Sequence, residues 1–200
     1  MQHKPDSAYF NIPEELIDYL PSKRSEYSLM FDYGRYDISK LPQNSGLIDI
    51  IRIAFYEKSL DEISFAVEGV KAKGYKVFLQ PSNVKEYSER ELQKLCERAN
   101  FLGVDSVYIV DSFGSMFPED LEKIAPVFNE TVHPEIGIGF HSHNSIQMSL
   151  ALTIQFIKLM KGREISVDSS LCGIGRGAGN TKTELLLENL EKHGAGYDMD

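Results

Sequence analysis

Two histidines one residue apart, His141 and His143, close the short apolar run Gly137-Ile-Gly-Phe-His141-Ser-His143-Asn144. In an extended backbone alternate side chains share a face, so both imidazoles project the same way, roughly 7 Å apart along the strand. That spacing lets two ring nitrogens grip one divalent cation, and it also fits two merely hydrogen-bonded or exposed imidazoles. Three of the five histidines, at 133, 141 and 143, fall within eleven residues, which favours the cation. Other polar groups follow apolar runs in the same manner: Asp111-Ser112-Phe113-Gly114, Asp168-Ser169-Ser170, and then Gly173-Ile-Gly175-Arg176-Gly177-Ala-Gly179-Asn180. Asp111 and Asp168 suit either loop caps or a site. The glycine loop lacks the Gly-x-Gly-x-x-Gly spacing of a dinucleotide fingerprint. Its exposed amides, its Arg176 and the helix after it suit a carboxylate or phosphate. Arg52 lies inside an apolar run and needs a partner, in a structural salt bridge or in a site.

The elements that must position these groups form a repeating unit of β-branched or aromatic run, polar loop and amphipathic helix. Strands are expected at 28–31, 48–55, 76–80, 106–110, 137–140 and 164–167. Ser59 with Glu62, Ser88 with Glu91, and Thr181 with Glu184 each fit a capping box that opens a helix. Gly74, Gly103, Gly162 and Gly194 stand where helices should stop. Pro126 should bend or end the helix that starts near Pro118, and a further helix is expected over 13–20, with a polar link over 21–26. Six βα units in one direction imply an open doubly wound sheet or most of a (β/α)8 barrel, whose usual length of ~250 residues is about two units more. Either arrangement places the polar groups at carboxyl ends of strands, where parallel folds keep their chemistry.

With 200 residues, 42% hydrophobic and 26% charged, the chain is expected to be one domain spanning 1–200. A formal charge of -9 argues against nucleic acid. No apolar run approaches the ~20 residues of a membrane span, and the first residues lack the apolar stretch of a signal peptide. A cytoplasmic protein with Cys96 and Cys172 as reduced thiols is expected.

Three motifs, in order and spacing, resemble the metal-dependent (β/α)8 lyases, the group of 4-hydroxy-2-oxovalerate aldolase, hydroxymethylglutaryl-CoA lyase and the isopropylmalate synthases, and above all the first of these. They are Val110-Asp111-Ser112-Phe-Gly114-Ser-Met116, Gly-Ile-Gly139-Phe-His141-Ser-His143-Asn144, and Val167-Asp168-Ser-Ser-Leu-Cys-Gly173-Ile-Gly175-Arg-Gly177-Ala-Gly179-Asn180. The resemblance covers roughly residues 28 to 194. It implies an α/β fold, an incomplete TIM (β/α)8 barrel made of strands three to eight, truncated at its N-terminus relative to the family. It implies His141, His143 and Asn180 as metal ligands, Ser112 and Arg176 as substrate contacts, and Asp111, Asp168, Asn144 and Arg52 as groups that support them. The metal implied is Mn2+ or Mg2+, with Zn2+ or Co2+ as alternatives.

Family members carry an Arg-Asp pair on the first strand and, in the aldolase branch, draw the general base from the same region. No such segment precedes Ser28, so the enolate-stabilising arginine and the base have no counterpart here, and the residues present should give only trace turnover alone. Cys172 reads as a small loop residue. The function implied is a divalent-metal-dependent aldolase that cleaves a 4-hydroxy-2-oxo acid to a 2-oxo acid such as pyruvate and an aldehyde. The alternatives are a Claisen-type synthase joining an acyl-CoA to a 2-oxo acid, or a silent barrel segment acting as a partner module. Beyond a small-molecule 2-oxo acid, the expected partner is a second copy or a complementing polypeptide, because an incomplete barrel exposes strand edges.

Overall fold

A computed structural model describes residues 12–16, 18–20 and 25–193. The six expected strands form, as β1 (Ser28–Asp32), β2 (Ile50–Phe55), β3 (Lys76–Pro81), β4 (Ser106–Asp111), β5 (Gly137–Ser142) and β6 (Ile165–Val167). They build one parallel sheet in which each strand pairs with its neighbours in sequence, in the order β1-β2-β3-β4-β5-β6. That order decides between the two architectures. Right-handed crossovers that always step the same way put every helix on one face, whereas a doubly wound sheet needs a reversal of direction. The sheet is therefore an arc of a barrel.

The helices are α1 (Ser64–Ala72), α2 (Glu89–Leu102), α3 (Pro118–Thr131), α4 (Ser149–Leu159) and α5 (Thr183–Lys192). Register partners in a parallel sheet share a face, and the row Ile53, Leu79, Val107, Ile138 is fully buried. Val67, Leu95, Leu121 and Phe156 from α1 to α4 belong to the same core. Phe140 and Phe156 stack with ring centroids 5.2 Å apart. The opposite, concave face carries Met30, Arg52, Phe78, Tyr108, Gly139 and His141. Apolar residues thus alternate with the site's polar and aromatic ones along each strand, which is how two faces with different tasks are written at period two.

Several local expectations change. Only Ser88 and Glu91 make the full capping box. At Ser59 the chain forms a single 3-10 turn, Glu57–Ser59, and α1 starts five residues later. The polar groups there serve α2 instead: Lys94 pairs with the Asp61 carboxylate at 2.7 Å and Arg98 donates to the Asp61 carbonyl at 2.9 Å. Thr181 is fully buried with its hydroxyl 3.1 Å from that of Thr153, and Glu184 accepts from the Cys172 amide at 2.6 Å, so this pair ties down the glycine loop. Helix α3 runs through Pro126. The proline faces solvent while Leu121, Ile124, Ala125 and Phe128 bury the other side, and packing of that side outweighs one lost backbone bond. In place of a helix over 13–20 there is a 3-10 turn, Pro13–Leu16, with Ile17 outside the described residues. Gly194 and 21–24 of the expected polar link also lie outside them.

Candidate active site

His141 lies one residue before the end of β5 on the concave face, and its Nε2 lies 3.4 Å from Nε2 of His143, the two rings edge to face with centroids 5.0 Å apart. The strand spacing alone would keep them farther apart. They converge because the chain leaves the sheet after Ser142, where His143 faces Asn180 in an antiparallel bridge. His141 Nδ1 donates to Asp168 at 2.8 Å. With the proton held on Nδ1, the Nε2 lone pair is left for an electrophile. Asp168 also accepts from Arg52 in a part-buried ion pair. Although burial opposes its ionisation most strongly, the bond from His141 and the Arg52 charge keep the Asp168 carboxyl below its ordinary range. Burial, then the neighbouring His141 and Arg176, push His143 down, which favours the neutral imidazole that a metal needs.

The floor beneath the histidines is a second network. Arg52 lies 4.7 Å from the centre of the Tyr108 ring, and the Gln80 amide oxygen, turned toward it, accepts from its Nη2 and Nε at 2.7 and 3.0 Å. Tyr108 is held by a 2.8 Å hydrogen bond with Ser166. Its ring crosses Gly139 so closely that a Cβ there would sit 2.3 Å away, which is why the strand entering the histidines is glycine-rich.

The loops supply the rest. Ser112 Oγ accepts from the Asn83 amide at 2.8 Å, leaving its own proton to donate. Arg176 reaches across to the Ser112 carbonyl at 3.4 Å. Asn180 donates its amide to the Ile174 carbonyl, while its Oδ1 is buried with no hydrogen-bond partner among the described residues. These groups, with the two histidines, Arg52 and Asp168, line one cavity of about 510 Å³.

Not every expected residue joins them. Asp111 is fully buried and accepts from the amides of Ser115 and Met116 and from the Ser142 hydroxyl, so it holds the loop that carries Ser112 and touches neither histidine ring. Asn144 caps the approach to α4, accepting from Ser149 N and Oγ at 3.2 and 2.8 Å, and does not line the cavity. His133 precedes β5 at the far end of the sheet and pairs with Glu135 at 3.5 Å. Among the described residues no three His, Cys, Asp or Glu side chains gather in a metal-holding group. A metal here would rest on His141 and His143, and the unpartnered Asn180 Oδ1 is the kind of hard oxygen donor that would join them. Gln80 and Asn83 line the cavity without having been expected. The signal was present, because Gln80-Pro-Ser-Asn83 follows an apolar strand as the other motifs do.

An HMGL-like family model matches residues 53–200. The oxaloacetate decarboxylase of Mycobacterium tuberculosis is 30% identical over 155 residues, 76% of this chain and 45% of that protein. A 4-hydroxy-2-oxovalerate aldolase of Bacillus thuringiensis is 28% identical over 187 residues, 89% of this chain and 51% of that protein. The chain thus spans about half the length of these curated relatives. Among solved structures, the N-terminal domain of a candidate aldolase of Bacteroides vulgatus superposes with a TM-score of 0.73 at 26% identity, over 94% of this chain and 61% of that one. The HMG-CoA lyase of Brucella melitensis gives a TM-score of 0.66 at 17% identity, over 84% of this chain and 66% of that one, a likeness of fold alone.

Proposed function

The chain belongs to the HMGL-like family, and from that premise we propose that it is a divalent-metal-dependent carbon-carbon lyase which cleaves a 4-hydroxy-2-oxo acid to pyruvate, or a near homologue, and an aldehyde. The observation that carries the reading is the pair of imidazole nitrogens 3.4 Å apart, one of them oriented by an ionised carboxylate. His141, His143 and Asn180 would hold the metal. When bound, a divalent cation supplies Lewis-acid polarisation of the 2-oxo group. Mn2+ or Mg2+ best suits two imidazoles with oxygen ligands from Asn180, substrate and water.

The residues of the chain would then do three things. Ser112 donates its hydroxyl proton to the substrate carboxylate, with its oxygen fixed by the Asn83 amide. Arg176, at the same edge of the cavity, adds positive charge beside that carboxylate. Asp168 and Arg52 hold His141 in one tautomer and orientation. Two unpaired outer edges, on β1 and β6 among the described residues, suit pairing with a second copy or a complementing segment. The free thiols of Cys96 and Cys172 suit a reducing compartment such as the cytoplasm.

A second reading is favoured by the 30% identity to an oxaloacetate decarboxylase. Loss of carbon dioxide from a 2-oxo diacid leaves the same pyruvate enolate and needs no proton acceptor for a hydroxyl. One experiment separates the two: with Mn2+ present, pyruvate release is followed from 4-hydroxy-2-oxovalerate and from oxaloacetate. Metal-dependent release from the first alone supports the aldolase, and release from the second alone supports the decarboxylase. Release from neither by metal-loaded protein, even at the trace level expected of the residues present, contradicts both.

A further inference from the structure

Bound as proposed, the 2-oxo acid keeps its carboxylate at Ser112 and Arg176 and its keto oxygen beside the two histidines, on the loops of β4, β5 and β6. The same cavity reaches across the arc to β1 and β2, and its lining there is different. Met30 is the register partner of Arg52, and Ala54 follows Arg52 at period two, so both belong to the concave face. Tyr33 and Tyr56, each the residue that follows its strand, line the same end. The Tyr33 hydroxyl donates to the Glu62 carbonyl at 3.3 Å, which ties the polar tip of that ring to the protein. Met30 and Tyr56 are 63% and 65% exposed, and neither belongs to the apolar core. Large apolar side chains left open to water within a cleft mark a place that a ligand's apolar group covers. The charges at this end, Asp32 and Arg35, pair with each other at 3.4 Å and so call for no second charged group on the ligand. A cavity of about 510 Å³ also holds far more than pyruvate with a methyl group.

We infer that the β1 and β2 end of the cavity is an apolar subsite for the tail of the substrate, which carries on carbon 4 a hydrophobic group of about the bulk of a phenyl ring. Met30 and Tyr56 are then the residues that determine specificity, and the aldehyde half of the substrate is a bulky apolar one. The inference rests on the proposed 2-oxo acid site. Its driving force is the apolar surface that ligand and protein remove together from water, which grows with the size of the tail.

Calorimetric titration in the presence of Mn2+ tests this with pyruvate, 2-oxovalerate, 2-oxo-4-phenylbutyrate and 5-hydroxy-2-oxovalerate. None of the four has a 4-hydroxyl, so none can undergo the proposed cleavage. The parent protein should bind 2-oxo-4-phenylbutyrate about tenfold more tightly than 2-oxovalerate, which carries a methyl group in place of the ring. It should show no such gain for 5-hydroxy-2-oxovalerate. The double variant Met30→Ser with Tyr56→Ser should bind the phenyl and methyl ligands nearly alike while keeping the parent's affinity for pyruvate, because both side chains line the far end of the cavity. Met30→Leu with Tyr56→Phe should keep the preference, since the apolar surface remains. Equal binding of the phenyl and methyl ligands by the parent protein overturns the inference, and so does a preference that survives in the double serine variant. Tighter binding of 5-hydroxy-2-oxovalerate than of the phenyl ligand overturns it too, in favour of a polar tail. Failure of the parent protein to bind pyruvate overturns the 2-oxo acid site itself, and the inference falls with it.

Discussion

Replacing Asp168 by Asn tests whether the carboxylate between Arg52 and His141 organises the site. The substitution keeps the shape and one acceptor oxygen but removes the charge. Side chains of Arg52 and Asp168 are 19% and 18% exposed, so the pair is desolvated without being sealed. Breaking a fully buried pair costs about 3–5 kcal/mol through the charge left behind. Here the abandoned guanidinium keeps the Gln80 oxygen and the face of Tyr108, which brings the expectation down to about 2–3 kcal/mol. For a chain of this size each kcal/mol lowers Tm by about 2–4 °C, giving a fall of roughly 4–12 °C. The tautomer of His141 also loses its anchor, and such supporting groups are worth about 10- to 100-fold in metal affinity. Thermal unfolding followed by circular dichroism and Mn2+ titration read the two effects separately. In the double variant Arg52→Gln with Asp168→Asn the stability losses should fall short of additive, because the second change removes the stranded charge. A variant as stable as the parent, with unchanged Mn2+ affinity, would refute the reasoning.

Ser112→Ala should weaken pyruvate binding by about 0.5–1.5 kcal/mol or somewhat more, since the acceptor is charged, and leave Mn2+ affinity unchanged; equal pyruvate affinity in both proteins would make Ser112 a loop residue only. Gly139→Ala should destabilise by about 1–3 kcal/mol, because the new methyl would overlap the Tyr108 ring that Arg52 packs on; an unchanged denaturation midpoint would show that the ring moves freely. Asp168 titrates below its ordinary 3.8 in the folded chain, so its contribution to stability is full above that value and is lost as pH falls through the depressed folded one. The acid limb of the stability profile should therefore flatten in Asp168→Asn, and a profile parallel to the parent's would count against the assignment. His143 titrates below its ordinary 6.5, so its ring should stay neutral to lower pH than a free imidazole when its ring protons are followed by NMR; protonation at or above 6.5 would contradict it.

The fold was legible because each strand does two jobs at period two. Rows such as Ile53, Leu79, Val107 and Ile138 are uniformly apolar, and only the alternate positions carry Arg52 and His141. Helix starts were less legible. Ser59 and Thr181 satisfy the capping pattern, but tertiary partners on α2, α4 and the glycine loop claim the polar groups around them, and no local window of sequence contains those partners. The site divides similarly. His141, Asp168 and Arg52 were visible as polar groups on apolar strands, yet their linkage joins positions 116 and 27 residues apart and follows only from the register of the barrel arc. Asp111 and Ser112 are neighbours with opposite fates, one turned into the loop and the other to the cavity, which sequence spacing alone does not decide. Asn83 was missed because a Pro-Ser-Asn stretch reads as a turn, and it is one; the Ser112 hydroxyl that its amide fixes lies 29 residues away in sequence.

The central claim is that His141 and His143 form a divalent-metal centre, and Mn2+ titration of the parent chain, His141→Ala and His143→Ala tests it most directly. The account predicts one tight site per parent chain and its loss in each variant, with circular dichroism spectra that superpose, because both rings sit at a strand end facing the cavity and neither belongs to the apolar core. Equal Mn2+ binding by all three proteins would contradict it.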